Sequence, residues 1–222
     1  MQRFFDILFS GMALVVFSPF LVPVALILKF TGEGEIFYVQ QRVGLDGKMF
    51  GLLKFATMLK DSPNMKMGTV TVKDDPRVLP IGKFLRKTKI NELPQLINIF
   101  LGDMSVIGPR PQTERCFLAF PKASQEAIVQ VKPGLSGIGS IVFRDEENIL
   151  HNNEADRLAF YDDIIAPYKG ELEQWYIQHN NMYSYFMLIG LTVWIVIFSD
   201  SKIYEKIFSD LPEVPEKLKN YM

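Results

Sequence analysis

The 222-residue chain carries 24 Lys and Arg against 25 Asp and Glu and is 48% hydrophobic but only 22% charged. That leaves room for one globular domain with an appendage, excludes an intrinsically disordered chain, and provides no global basic field to mark a nucleic-acid partner. A single cysteine, Cys116, excludes an internal disulfide, and His151 and His179 lack the spacing of a metal-ligand pair.

The apolar excess lies at the two ends. Residues 7–28 are uncharged and flanked by Arg3, Asp6 and Lys29, long enough to span a bilayer core of about 30 Å. Removal as a signal peptide is not expected, because Arg3 is followed by Asp6 and no small-residue cleavage pattern follows Lys29. Pro19 and Pro23 each delete a helical N–H, and the Ser18 hydroxyl is placed to bond a freed carbonyl. A break at Ser18-Pro19 would leave halves too short to cross, giving a re-entrant hairpin; composition alone is equally compatible with a kinked, spanning helix.

Next in the chain, residues 36–43 and 49–54 read as strands around the turn GLDGK, with Asp46-Gly47 as the hairpin signal. Residues 81–101 begin basic and continue as NELPQLINIFL. The spacing predicts a helix capped by Asn91, with Pro94 in its first turn and Leu96, Ile97, Phe100 and Leu101 on its buried side. Residues 54–110 hold ten Lys and Arg and five Asp and Glu, whereas 145–175 hold nine acids and two bases. A basic region near a membrane segment suits anionic headgroups or a phosphorylated substrate; a solvated face is the plainer alternative for either block.

Three places are candidates for chemistry. In Gly108-Pro109-Arg110-Pro111 two prolines fix the backbone around an arginine whose guanidinium matches a phosphate. Asn91-Glu92 sits among Arg86, Lys87 and Lys89, so its carboxylate stays ionised, able to hold a metal or attack phosphorus, or to complement a helix dipole. Asp145, Glu146 and Glu147 follow the glycine-rich KPGLSGIGS; they either coordinate a divalent cation or face water. Those glycines lack the trailing Gly-Lys-Ser/Thr of a P-loop. Residues 182–198, with Tyr183, Tyr185 and Trp194, suit an interfacial or partly core-packed helix, with a transmembrane helix as the rival reading, and the tail beyond it reads as a loose surface extension.

Together, FYVQQRVG (37–44), LKFATM (53–58), DDPRVLPIGKFLRKT (74–88), NELPQLINIFLGDMSVIGPRPQ (91–112) and VKPGLSG (131–137) resemble, in order, the bacterial sugar transferase family, the small monotopic phosphoglycosyl transferases. The resemblance implies an α/β protein, mostly helical with short strands. Its parts would be a re-entrant membrane helix broken at Ser18-Pro19 (1–31), a cytoplasmic catalytic domain (32–181), and an interfacial helix with a tail (182–222). It also implies transfer of a sugar 1-phosphate from a UDP-sugar to polyprenyl phosphate, releasing UMP, at the cytoplasmic face of the bacterial inner membrane. Mg2+ is the implied cofactor and membrane lipid an implied partner. No nucleic acid is implied, and a homo-oligomer is left open.

The matched positions assign Glu92 and Asn91 to catalysis and Lys54, Arg86, Arg110 and Pro111 to substrate binding. Glu92 is also linked to the metal, and where Glu92 takes the nucleophilic role Asp145 or Glu146 helps to bind it. In the family an Asp-Glu dyad acts, the Asp as nucleophile. This chain has Asn91 at that position, and Tyr185 or a neighbour where a C-terminal acid is usual. Three readings follow: Glu92 is the nucleophile; Asn91 positions substrates that react directly; or the chain is a membrane-anchored pseudoenzyme or scaffold.

Overall fold

A computed structural model describes residues 1–31, 33–62, 76–151, 157–198, 201–219 and 221, without the side chains of 147, 148, 151 and 157. Asp74 and Asp75 of the basic motif, and the side chains of Glu147 and His151, therefore lie outside the described residues. The chain is mostly helical with short strands and divides into two compact units. The first comprises Ile7–Gln41 and Gly51–Leu101; the second comprises Met1–Asp6, Arg42–Phe50 and Gly102–Met222.

Helix α1 (Gln2–Phe30) is 29 residues long and continuous through Pro19 and Pro23. The expected break at Ser18-Pro19 is therefore absent from the helical backbone. Pro19 has no N–H for the Val15 carbonyl, and the Ser18 hydroxyl donates to that same carbonyl at 2.8 Å, so the side chain replaces the lost bond. Met12, Val15, Val16, Phe20 and Val22 are all exposed, and α1 is the one described helix long and apolar enough to cross a membrane. Its C-terminal turns pack along one face only, while Leu26, Ile27 and Phe30 stay exposed. Leu28 forms a core with Phe55 and Leu85, against which Leu21, Val24, Ala25, Ile81 and Ile90 pack.

Strands β1 (Phe37–Val43) and β2 (Met49–Phe55) pair in a two-stranded sheet, close to the expected limits. Asp46 and Gly47 both take the left-handed conformation (φ 57° and 71°), which an Asp-Gly pair tolerates. Helix α2 (Pro80–Lys87) opens on a proline and buries Gly82 and Leu85. A Cβ at Gly82 would stand 2.2 Å from the Thr57 carbonyl oxygen, so glycine lets α2 lie directly on the chain beyond β2.

The helix expected from Asn91 is displaced. Lys89 turns left-handed (φ 58°), Ile90–Glu92 form a 3-10 turn, and α3 (Gln95–Leu101) begins after Pro94. Asn91 caps nothing. The buried face of α3 is Gln95, Leu96, Asn98 and Ile99, while Phe100 and Leu101 are exposed. A polar contact sets this register. Asn98 Oδ1 accepts the Leu53 N–H at 2.9 Å, and its Nδ2 donates to the Gly51 carbonyl at 2.8 Å; the amide serves β2 as a neighbouring strand would.

In the second unit, β3 (Ser105–Ile107) and β4 (Gly134–Ser136) pair in parallel, Ser105 opposite Gly134 and Ile107 opposite Ser136. Short helices α4 (Glu114–Leu118), α5 (Lys122–Ile128), α6 (Ile138–Val142), α7 (Glu146–His151) and α8 (Arg157–Phe160) lead through a π turn to α9 (Ala166–Gln178), then α10 (Met182–Ile197) and α11 (Ile203–Ile207). The core holds Ile107, Ile138, Ile165, Leu172, Tyr176 and Leu188. Helix α10 is packed on one face, where Ser184, Tyr185, Leu188, Leu191 and Ile195 are buried, and exposes Tyr183, Val193, Trp194, Val196 and Ile197 on the other. The C-terminal tail is not the loose extension expected: Leu218 is fully buried, Trp175 Nε1 donates to Asp210 at 2.9 Å, and the Tyr168 hydroxyl donates to the Pro212 carbonyl at 3.1 Å.

A buried acid ties the N-terminus into this unit. Asp6 Oδ1 accepts from Ser105 Oγ, the Val106 N–H and the Tyr185 hydroxyl, each at 2.9 Å. Tyr185, where the family resemblance led one to expect an acid nearby, thus donates to an acid supplied by α1.

Candidate active site

The sequence candidates fall into two groups, one per unit: Lys54, Arg86, Asn91 and Glu92 in the first, Arg110, Pro111, Asp145 and Glu146 in the second.

In the first unit, Lys54 lies near the end of β2 and Arg86 in the last turn of α2. Arg86 Nε donates to Thr57 Oγ1 at 2.9 Å, fixing the guanidinium against the segment after β2. Ile90 enters the core beside Leu28 and Leu85. That apolar plug packs beneath the 3-10 turn, in which Asn91 is buried and Glu92 half-buried. Two polar atoms here stand out. Asn91 Oδ1 and Gln95 Nε2 are buried and have no hydrogen-bond partner among the described residues. An orphaned polar atom typically costs about 1–3 kcal/mol, and such atoms concentrate where function overrides stability. Arg77, from the basic motif, is structural: it is buried and donates to the Ser62 carbonyl at 2.7 Å.

In the second unit, the loop Gly108–Gln112 is bonded at every residue. The Gly108 N–H donates to the Ser136 carbonyl at 2.9 Å, and the Pro109 carbonyl accepts the Gly134 N–H at 2.8 Å. The Arg110 N–H donates to the Glu173 carboxyl, and the Arg110 carbonyl accepts Gln112 Nε2 at 3.0 Å. The Pro111 carbonyl accepts Arg42 Nη1 at 3.2 Å, and the Gln112 carbonyl accepts the Val43 N–H at 3.0 Å. Glycine permits the close packing, since a Cβ at Gly134 would lie 2.1 Å from the Gly108 nitrogen. The glycine-rich KPGLSG segment is thus the bed of the loop. Above it, a shallow pocket is lined by Val43, Pro109, Arg110, Pro111, Phe117 and Val131, among others.

The acidic block is not wholly a solvated face. Glu146 accepts from Lys169 Nζ at 2.7 Å, and the Lys169 side chain is only 3% exposed. Glu146 is thereby engaged as a counter-ion. Glu173 is 2% exposed. Burial raises its carboxyl to about 8, against the opposing pull of Lys169 and the Arg110 N–H. Sequence reasoning missed Glu173, Arg42, Gln95 and Asp6 as site-shaping residues. Asp6 carried a usable signal: an acid at the edge of a long apolar helix needs partners.

No group of three or more His, Cys, Asp or Glu side chains is gathered among the described residues. Mg2+ does not need one, because it is commonly held by one or two protein oxygens with substrate phosphates and water completing the shell. The Glu92 carboxylate, half-buried in its turn, is one candidate oxygen of that kind.

The family model described as bacterial sugar transferase matches residues 1–199. The chain belongs to the bacterial sugar transferase family. Membership makes it a sugar transferase enzyme. Among its relatives, the exopolysaccharide production protein ExoY of Sinorhizobium fredii is 35% identical over 173 residues, covering 72% of this chain and 74% of that protein. A UDP-glucose:undecaprenyl-phosphate glucose-1-phosphate transferase of Escherichia coli is 36% identical over 157 residues, covering 69% of this chain and 34% of the longer relative. A UDP-N-acetylgalactosamine-undecaprenyl-phosphate N-acetylgalactosaminephosphotransferase of Aeromonas hydrophila is 35% identical over 144 residues, covering 64% of this chain and 34% of its own length.

Proposed function

We propose that this enzyme transfers a sugar 1-phosphate from a UDP-sugar to polyprenyl phosphate at a membrane surface, releasing UMP and starting assembly of a polysaccharide. The observation that carries the reading is the shared core of the first unit. Leu28 of the exposed apolar helix and Ile90 of the Asn91–Glu92 turn pack in one cluster, so the lipid-facing element and the reactive carboxylate are rigidly joined. The names of the relatives support both substrates. The scaffold alternative has no support from them.

The chemistry follows from the residues. The Glu92 carboxylate attacks the sugar-bearing phosphorus, the bond from that phosphorus to the bridging oxygen breaks, and UMP leaves with the oxygen. An oxygen of polyprenyl phosphate then attacks the same phosphorus and returns the carboxylate. A covalent intermediate lets a soluble donor and a lipid acceptor take turns. Arg110, on its fully bonded loop, binds donor phosphate, and Lys54 and Arg86 add positive charge. Asn91 orients a substrate hydroxyl or a bound water through its unpaired Oδ1. Mg2+, for which Glu92, Asp145 and Glu146 are the candidate holders, would neutralise charge on the diphosphate.

We also place the enzyme monotopically, with α1 dipping into the inner membrane from the cytoplasmic face and bending, as an unbroken helix, at its two prolines. The polar anchoring of Asp6 at one end and the burial of Leu28 at the other support this reading, since both ends pack into globular structure. Cysteine labelling that put residue 2 and residue 54 on opposite sides would overturn it. The reaction is tested with purified protein, Mg2+, a UDP-sugar panel and polyprenyl phosphate. UMP release that depends on Glu92 is expected; none with any donor would defeat the proposal. Mass spectrometry of a phosphosugar adduct separates the covalent route from direct transfer positioned by Asn91.

A further inference from the structure

The Gly108–Gln112 loop is held by main-chain groups, by the amide of Gln112, by Arg42, and by one carboxyl, that of Glu173. This last anchor has unusual features. Glu173 is 2% exposed on α9, yet its Oε2 has no hydrogen-bond partner among the described residues. The nearby Lys169 ammonium is bonded to Glu146 at 2.7 Å. Gly139 of α6 is fitted to the carboxyl, because a Cβ there would stand 2.3 Å from Glu173 Oε1. The carboxyl is therefore lodged against α6 with the Arg110 N–H as a partner. An acidic side chain buried at this expense in a helix otherwise packed by Leu172, Trp175 and Tyr176 calls for a reason beyond filling space.

We infer that Glu173 is a positioning residue for donor binding: from beneath the loop its carboxyl fixes the main chain of Arg110 and so aims the guanidinium at the donor diphosphate. The inference rests on the reading of Arg110 as the phosphate-binding residue. What matters is a hydrogen-bond acceptor at the carboxyl position. Glu173→Gln keeps a carbonyl oxygen there; Glu173→Leu removes it and leaves a buried N–H unpaired. A misaimed clamp loses affinity for its ligand, since displacement of about 1 Å in a positioning group can cost up to about 100-fold.

The test uses the full chain in lipid nanodiscs, with UDP and Mg2+ as the probe and calorimetry as the readout. Arg110→Ala should weaken UDP binding by about 10- to 100-fold, Glu173→Leu by about tenfold, and Glu173→Gln by less than about threefold. In the Arg110→Ala background, Glu173→Leu should add less than about twofold, because both changes disable one device. A merely structural role would lower affinity in both backgrounds. If Glu173→Leu fails to fold, Gly139→Ala displaces the carboxyl without deleting it and should give the same loss, again absent without Arg110. Unchanged binding in Arg110→Ala would sink the Arg110 reading. Loss in Arg110→Ala with none in Glu173→Leu or Gly139→Ala would overturn the Glu173 role alone. So would additive losses, or a Glu173→Gln variant as weak as Glu173→Leu.

Discussion

The Asn91–Glu92 turn and the Gly108–Gln112 loop are both short, irregular and rich in chemistry, yet they are built on opposite principles. Every residue of the loop has a bonded main-chain group, and glycines bring its bed within reach. The turn is plugged by the apolar side chain of Ile90, and its Asn91 Oδ1 is buried without a hydrogen-bond partner among the described residues. A group that binds a fixed charge gains from rigidity, because little entropy remains to lose on binding. A group that must meet changing partners during a reaction is better left with open hydrogen-bonding capacity. On the proposed reading, the difference suits binding to the loop and chemistry to the turn.

Glu92→Gln strikes the comparison hardest. UMP release should fall by about a thousandfold or more while UDP binding changes little, because the carboxylate is assigned to the chemical step and the apolar packing of Ile90 under the turn is untouched. Comparable losses in both would mean that Glu92 belongs with the binding machinery. Arg110→Lys is the mirror image: a point charge replaces a planar fork, and donor affinity should drop by about 10- to 100-fold. Titration with UDP measures it, and unchanged affinity would remove the loop from the site.

Asn91→Ala sharpens the contrast. Deleting an amide whose buried Oδ1 has no partner among the described residues should leave thermal stability unchanged or raise it by up to about 1 kcal/mol, while turnover falls by about tenfold. A loss of stability would show that the amide is satisfied in the folded protein, and the open character of the turn would have to be abandoned.

Beneath the loop, Glu173 makes a prediction about pH. Burial raises its carboxyl to about 8, so the folded protein holds a proton there that the unfolded chain gives up from near pH 4.5 upward. Stability from this group is present at low pH and declines as pH rises toward about 8. Glu173→Gln, which cannot ionise, should flatten that decline in denaturant titrations. An identical slope in both proteins would mean that Glu173 is ionised throughout.

The sequence made one class of feature readable and hid another. Asp46-Gly47 announced the β1–β2 turn because its backbone needs residues tolerant of positive φ. The long helix α1 followed from its uncharged run. The candidate residues came from motifs, and the family bears out the kind of enzyme they implied. The start of α3 was misplaced because Lys89, an ordinary residue, takes the left-handed conformation, and because Asn98 turns inward to serve β2. Glu173 and Lys169 were hidden in an acidic block that reads as solvated. Their burial depends on α6 and the 108–112 loop, which are distant in sequence. Which loop atoms find partners is decided by tertiary packing, and no local pattern encodes it.

The smallest effect separates redundancy from necessity in the loop. Gln112 is buried, and its side chain donates to the Arg110 carbonyl at 3.0 Å, two residues back. Gln112→Ala deletes that donor but leaves the five neighbouring anchors, including Arg42 on Pro111 and Val43 on the Gln112 carbonyl itself. The unpaired acceptor should lower stability by about 1 kcal/mol, and the remaining bonds should confine the loss of UDP affinity to about threefold. A loss as large as that of Arg110→Lys would mean that the bonds act as one cooperative network rather than as independent supports. Loop rigidity would then hang on each member, and the contrast with the apolar-anchored turn would be sharper than the separate bonds suggest.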